Sequence, residues 1–254
     1  MDYRLKLVLF FILVFGNTGC TEHFENLSLN EQAIDTATRF SNDSTKDQYR
    51  KPLDILEFSG ITTDMKVVDL LGGGGYYSEL FSYIVGKDGQ VYLQNNSLFL
   101  RFSKDEIEER LKNNRLTNVV RLDSDYADMK LPEGVDIMFL GLSFHDFFVK
   151  REDPVISANP DAFFAQAYQS LKPGGTLIII DHAARPESRL EEWAPLHRIE
   201  ESWARAQLEM HGFKFEAELN VLRNFDDDYS LDIWNKKVFH KTDRFVHKYR
   251  KVEK

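Results

Sequence analysis

The sequence predicts an α/β domain built on a doubly wound, mostly parallel seven-stranded sheet that ends in a C-terminal antiparallel strand pair. Three observations predict it. From about residue 30 onward, short continuous aliphatic runs alternate with stretches of helical periodicity, the pattern of buried strands covered by helices on both faces. The first such run, Val67-Val-Asp-Leu-Leu, leads into four consecutive glycines, Gly72 to Gly75, that open a helix. Near the end, two extended segments are joined by a polar stretch without a crossover helix, so they pair antiparallel.

The elements follow in chain order. Helices are expected over Glu31 to Phe40 and Lys51 to Phe58, then the first strand over Lys66 to Leu71 and a helix over Ser78 to Val85. The aliphatic runs Gln90 to Asn95 and Asn118 to Leu122 read as the second and third strands, separated by a charged helix, Lys104 to Asn113. Val135 to Leu142 is the fourth strand. Ala162 to Leu171 reads as a helix that Lys172-Pro-Gly-Gly breaks before the fifth strand, Thr176 to Asp181. A long amphipathic helix is expected over Trp193 to Met210, stopped by His211-Gly212, and the extended segments Phe213 to Leu222 and Arg244 to Tyr249 close the sheet.

With 254 residues, 43% of them hydrophobic, and no internal repeat or Pro/Gly-rich linker, the chain has material for one domain with a sizeable core. Net charge is -9 and the basic residues are spread out, which argues against a nucleic-acid footprint. The C-terminal cluster Lys248, Arg250, Lys251 and Lys254 reads as a solvated last strand.

The N-terminus has the make-up of an export signal: Arg4 and Lys6 precede the apolar run Leu7 to Phe15, with small and polar residues up to Cys20. That run is far shorter than the ~20 residues a spanning helix needs. Gly19-Cys20 resembles the cleavage site of bacterial lipoproteins, whose cysteine is diacylated, although Asn17 stands where an aliphatic residue is usual. The resemblance implies a signal over residues 1–19, a polar tether over 20–30 and a domain over 31–254. It also implies anchoring to the bilayer through Cys20, with each buried methylene contributing ~0.8 kcal/mol. By resemblance to bacterial lipoprotein sorting, Thr21 rather than Asp after the cysteine implies the periplasmic face of the outer membrane over the inner membrane. Cys20 is the single cysteine, so its acylation leaves no thiol for a disulfide, a zinc cluster or a nucleophile.

The glycine turn carries the chemistry. A glycine lets a ligand approach the backbone, and the helix start beyond offers free N–H groups to an anion. A phosphate-binding P-loop needs a Gly-Lys-Ser/Thr ending, which is missing, and the dinucleotide fingerprint G-x-G-x-x-G fails at its third position in either register. The pattern D-x-G-x-G-x-G maps onto Asp69, Leu71, Gly73 and Gly75, losing only its first glycine.

On these residues the chain resembles the class I S-adenosylmethionine-dependent methyltransferases, and within them a group of exported bacterial members with a GGGY-type first motif. Further signatures stand in the expected order: Arg50-Lys-Pro, Gly73-Gly-Gly-Tyr-Tyr, Phe144-His-Asp, Leu171-Lys-Pro-Gly-Gly, Asp181-His, Leu196-His-Arg and Thr242-Asp-Arg-Phe. The resemblance implies S-adenosylmethionine as cofactor, with Gly73 and Gly75 passing its methionine part and Asp69 ordering the loop. Asn95 stands where an acid usually meets the ribose, and Asp125 where one often contacts adenine.

Substrate-side candidates are His145 and Asp146 after the fourth strand, Asp181 and His182 after the fifth, and His197 with Arg198 beyond. In an open parallel sheet the first two pairs emerge at the carboxyl edge, where ligands bind, and a histidine there can act as general base. No H-x-x-x-H or H-E-x-x-H spacing supports a metal, so none is expected. The sequence thus reads as a methyltransferase acting on a small or envelope-associated molecule. The rival readings are a non-catalytic ligand-binding lipoprotein with the same fold and, after it, a nicotinamide oxidoreductase.

Overall fold

A computed structural model describes residues 27–153 and 157–253. The expected signal, Cys20 and most of the tether lie outside the described residues. The first helix starts two residues earlier than expected, because Ser28 caps α1 (Leu29–Asp35) in a reciprocal capping box with Glu31. That helix stops at Asp35, short of Phe40: Arg39 turns to Asp47 and the Phe40 N–H is taken by Glu79 Oε1 at 3.1 Å. Two short helices follow, α2 (Ser44–Arg50), which the sequence did not predict, and α3 (Pro52–Ser59).

The sheet then builds through β1 (Lys66–Leu70), α4 (Tyr76–Val85), β2 (Gln90–Asn95), α5 (Ser97–Leu111), β3 (Val119–Asp123) and β4 (Val135–Gly141). It continues with α6 (Pro160–Ser170), β5 (Leu171–His182), α7 (Leu190–Trp193), α8 (Glu201–Met210), β6 (Phe213–Glu218) and β7 (Arg244–Lys251). The strand order is β3-β2-β1-β4-β5-β7-β6, with β7 antiparallel to both neighbours and the rest parallel. This is the predicted doubly wound sheet with its antiparallel end. The order reverses between β1 and β4, which opens a crevice at their carboxyl ends.

Alternation along the strands fills both faces. Val68, Leu70, Met138, Leu140, Leu177 and Ile179 meet an aromatic layer that includes Phe144, Phe163 and Trp193. Their neighbours Val67, Ile137, Phe139, Ile178 and Ile180 pack on Leu80, Phe81 and Ile84 of α4 and on Ile55 and Leu56 of α3. Each such side chain contributes about 1.5–3 kcal/mol by leaving water.

Three departures from the predicted elements bear on the site. α5 begins at Ser97 rather than Lys104, because Asn96 caps it by accepting from the Phe99 N–H at 2.9 Å. β5 begins at Leu171 and runs through Lys172-Pro-Gly-Gly, with the register against β4 slipping between Val135↔Leu171 and Ile137↔Thr176. The long helix expected over Trp193 to Met210 is broken. Pro195 lies in the break, His197 takes φ +53, and Ile199 forms a parallel bridge to Ala183 before α8 starts under a Glu200 cap. The fully buried Arg198 holds this segment down, bonding the Ala183 carbonyl at 2.8 Å and Asp227 at 2.8 and 3.1 Å.

Candidate active site

The glycine turn is fixed from below and from both flanks. Asp69, buried at the end of β1, accepts from Ser78 Oγ at 2.6 Å, and burial pushes its carboxyl up to about 6. Gly73 has φ +56 and a Cβ there would meet nothing within 4 Å, so this glycine borders open space, as a backbone cradle for a ligand requires. Gly75, at φ +83, precedes the first turn of α4. Leu71 occupies the missing-glycine position and still takes φ +50; Leu142, at the end of β4, takes φ +66. Both are left-handed conformations that cost a leucine on the order of 1–3 kcal/mol and cluster here at the crevice.

Asn95 lies beneath this turn, and Asp125 lies at the start of α5. The Asn95 carboxamide is occupied by the Gly73 backbone, and Asp125 accepts from the N–H and Oγ of Ser97 at 2.9 and 2.7 Å, tying the third-strand loop to the start of α5. Arg110 of α5, which no motif pointed to, holds the other flank. Fully buried, it bonds the Gly74 carbonyl, Asp43 at 2.7 Å, Glu106 at 3.0 Å and Glu79.

Across the crevice, Asp181 accepts from the His145 backbone N–H at 2.7 Å and from its ring Nδ1 at 2.8 Å. A carboxylate can only accept, so Nδ1 carries the proton and the basic lone pair of neutral His145 sits on Nε2. Burial alone would lower this imidazole, but the charges of Asp181 and Asp146 hold it above its ordinary value. His182 Nδ1 bonds Thr242 Oγ1 at 2.7 Å; burial and then the charges of His145, Arg244 and Arg198 push it well below its ordinary value. Asp146 pairs with Arg151, 3.8 Å from both His145 Nε2 and His197 Nδ1.

These groups share one cavity of about 630 Å³, which has Gly73 on one side and His145, Asp146, His182 and His197 on another. Leu98, Phe99 and Phe102 from α5, and Trp234 and Phe239 from the loop before β7, give it an apolar wall. A smaller cavity of about 220 Å³ lies against the glycine turn, between Leu71, Tyr77 and Ser143, and shares Arg50, Gly73, Phe99 and Leu142 with the large one. The structure thus gathers His145, Asp146, Asp181 and His182 at one edge. Arg198 is not part of it: its guanidinium faces Asp227, and its effect is to position His197.

Trp234, Phe239 and Arg151 were not expected from the sequence. They sit in irregular segments where no periodicity marks a buried face. His145, Asp146 and His197 also bring one ligand atom each within 4.8 Å of one another, enough to face a single cation. Asp146 is already paired with Arg151, which a cation would have to displace.

No family model matches the chain. It is 29% identical over 141 residues to the ubiquinone/menaquinone biosynthesis C-methyltransferase UbiE of Saccharophagus degradans, covering 55% of this chain and 51% of that one. It is 26% identical over 175 residues to UbiE of Shewanella piezotolerans, covering 68% and 59%. The chain therefore spans about half the length of the curated relatives it matches. Among solved structures it resembles an S-adenosylmethionine-dependent methyltransferase from Aquifex aeolicus, with TM-score 0.55 and 20% identity over 84% of this chain and all of that one. It also resembles a geranyl diphosphate C-methyltransferase from Streptomyces coelicolor, with TM-score 0.54 and 10% identity over 88% and 87%. The fold is that of the class I methyltransferases.

Proposed function

We propose that this chain is an S-adenosylmethionine-dependent methyltransferase acting on a small apolar or aromatic molecule of the cell envelope. The observation that carries the reading is that the glycine turn and the Asp181-supported His145 open onto the same cavity, at the carboxyl edge where the strand order reverses. The turn fits the cofactor: Gly73 presents bare backbone to open space, and the buried Nε of Arg50 beside it has no partner. Gly73 and Arg50 would hold the methionine part, whereas Gly75 lines neither cavity and packs against Leu93 and Arg110. Bound there, the cofactor supplies an electrophilic methyl group.

The chain's own residues then do two things. The aromatic wall excludes water and orients the acceptor towards the turn, which is where most of the acceleration of a direct transfer arises. His145 Nε2 takes the proton the acceptor loses, while Asp181 holds the ring and balances the charge. The buried carboxylate-histidine pair at the cavity favours the enzymatic reading over a purely ligand-binding lipoprotein. The similarity to C-methyltransferases of quinone biosynthesis and the aromatic cavity wall together favour a flat acceptor.

Export, acylation of Cys20 and outer-membrane location belong to the same proposal, as does membership of the exported group with the GGGY motif. The first three rest on the N-terminal sequence alone, and the last on the motif at Gly73 to Tyr77 and the signatures around it. No helix among the described residues is long and apolar enough to cross a membrane. Calorimetry of the full chain with S-adenosylmethionine and S-adenosylhomocysteine tests the cofactor reading. Saturable binding of both is expected, and binding of neither would overturn it.

A further inference from the structure

Two guanidinium groups in the cavity wall, Arg50 and Arg244, have no carboxylate partner among the described residues. The Nε of each is buried without a hydrogen-bond acceptor. Arg50 lies over the Tyr76 ring at 4.5 Å and the Tyr77 ring at 5.6 Å. Arg244 is only 7% exposed, and burying a cation with no counter-charge is costly. The nearby acids are all engaged elsewhere. Asp243 binds Arg223 at 2.9 Å and the Asn224 N–H at 2.8 Å, Asp47 binds Arg39, and Asp181 binds His145.

Uncompensated positive charge leaves a mark on its neighbours. His182 and His240 are pushed below their ordinary values by burial first and then by surrounding cations that include Arg244, and Arg244 itself is lowered by burial and by Arg50 against the opposing pull of Tyr77, Asp243 and Tyr49.

The position of Arg244 says which ligand would balance it. It opens β7 directly opposite His182 on β5, so both side chains leave the same face of the sheet. The His182 ring lies 6.1 Å from that of His145. Arg50 lines both cavities, including the small one against the glycine turn, whereas Arg244 lines only the large one. We propose that Arg244 is an oxyanion site, apart from Arg50 at the cofactor's end of the cavity, and that the molecule methylated next to His145 carries a carboxylate or phosphate bound there. The proposal rests on the methyltransferase reading only in naming the ligand a methyl acceptor.

The test uses the full chain saturated with S-adenosylhomocysteine and titrated calorimetrically with benzoate, phenyl phosphate and the neutral benzamide. Wild type is expected to bind one of the two anions at least about tenfold more tightly than benzamide, as a charge-assisted bidentate contact requires. In Arg244→Met that preference should vanish, while S-adenosylhomocysteine affinity stays within about twofold. The variant should also unfold at a temperature no lower than wild type, because an unpaired buried cation has been removed.

Equal binding of benzamide and both anions by wild type would overturn the proposal. So would a loss of S-adenosylhomocysteine affinity in Arg244→Met matching the loss for the anion, which would assign the arginine to the cofactor carboxylate. A lowered unfolding temperature would assign it to the core instead. None of these outcomes depends on methyl transfer, so failure here is separable from failure of the enzymatic reading.

Discussion

Asn95 holds the backbone of Gly73 at both polar atoms, its Oδ1 accepting from the Gly73 N–H at 2.9 Å and its Nδ2 donating to the Gly73 carbonyl at 3.0 Å. An asparagine can make this reciprocal pair; an aspartate cannot, because it has no donor. Asn95→Asp should therefore repel the Gly73 carbonyl and cost about 1–3 kcal/mol, the penalty for a buried polar group left unmatched. Thermal unfolding and S-adenosylhomocysteine calorimetry check this: both stability and affinity should fall. Tighter binding by the aspartate variant would instead return Asn95 to the ribose-contacting role the sequence suggests.

Arg110 gives a second prediction. It is the fully buried partner of Asp43 and Glu79 and also holds the Gly74 carbonyl, so Arg110→Met leaves Asp43 with Lys46 alone and Glu79 with Arg115 as its remaining cation. The expected loss is about 3–5 kcal/mol at neutral pH. Burial would raise the Asp43 carboxyl, but Arg110 and Lys46 hold it below its ordinary value. In wild type that group therefore adds stability above its unfolded value of about 3.9, lost as pH falls through the lower folded value. Without Arg110 only Lys46 opposes burial, so the folded value of Asp43 should rise and the variant should lose less relative to wild type at pH 5 than at pH 7. Urea unfolding at the two pH values measures the difference.

The sheet was readable because buried parallel strands must be continuous aliphatic runs, and Val67-Val-Asp-Leu-Leu or Thr176-Leu-Ile-Ile-Ile can be little else. The broken helix around Pro195 was not, because the forces that break it are the Arg198–Asp227 pair and the bridge from Ile199 to Ala183, both remote in sequence. The site divides the same way. His145, Asp146, Asp181 and His182 stood out as polar residues following strands, but the contact between His145 and Asp181 spans 36 positions and no spacing rule reveals it. The apolar stretch of α5 through Leu98, Phe99 and Phe102 escaped notice because it faces a cavity, so its pattern does not match a helix packed on a core.

Anchoring yields a third prediction. Gly19-Cys20 follows an apolar run too short to span a bilayer, so the wild-type chain should incorporate a fatty-acid analogue and sediment with outer-membrane vesicles. Cys20→Ala should do neither. Equal labelling of both chains would remove the lipoprotein assignment and leave the catalytic reading untouched.

The last prediction concerns the base. With Asp181 on Nδ1, His145 Nε2 must be unprotonated to accept a proton, and the charges of Asp181 and Asp146 outweigh burial to hold this group above its ordinary value of about 6.5. On a verified acceptor, kcat/KM should therefore rise with pH to a plateau, with its midpoint above that value. Asp181→Asn removes the charge, so the midpoint should move down while the plateau falls. His145→Ala should cost 10²- to 10⁴-fold in rate, roughly 3–5 kcal/mol of barrier, with S-adenosylhomocysteine affinity within about twofold of wild type. Stability carries the opposite sign to activity. A group raised on folding contributes fully below its unfolded value and loses that contribution as pH rises through its folded value, so His145 favours the folded state most on the acid side. His182, pushed well below 6.5, contributes in the other direction and destabilises the fold as pH drops under that value. In a His182→Gln background the largest opposing contribution is removed, leaving those of His197 and His240, which act below about 6.5, so unfolding free energy should decline as pH rises above that value. A kcat/KM profile whose midpoint stayed put in Asp181→Asn would separate the acceptor's proton from His145 and assign the pair to holding the crevice edge alone.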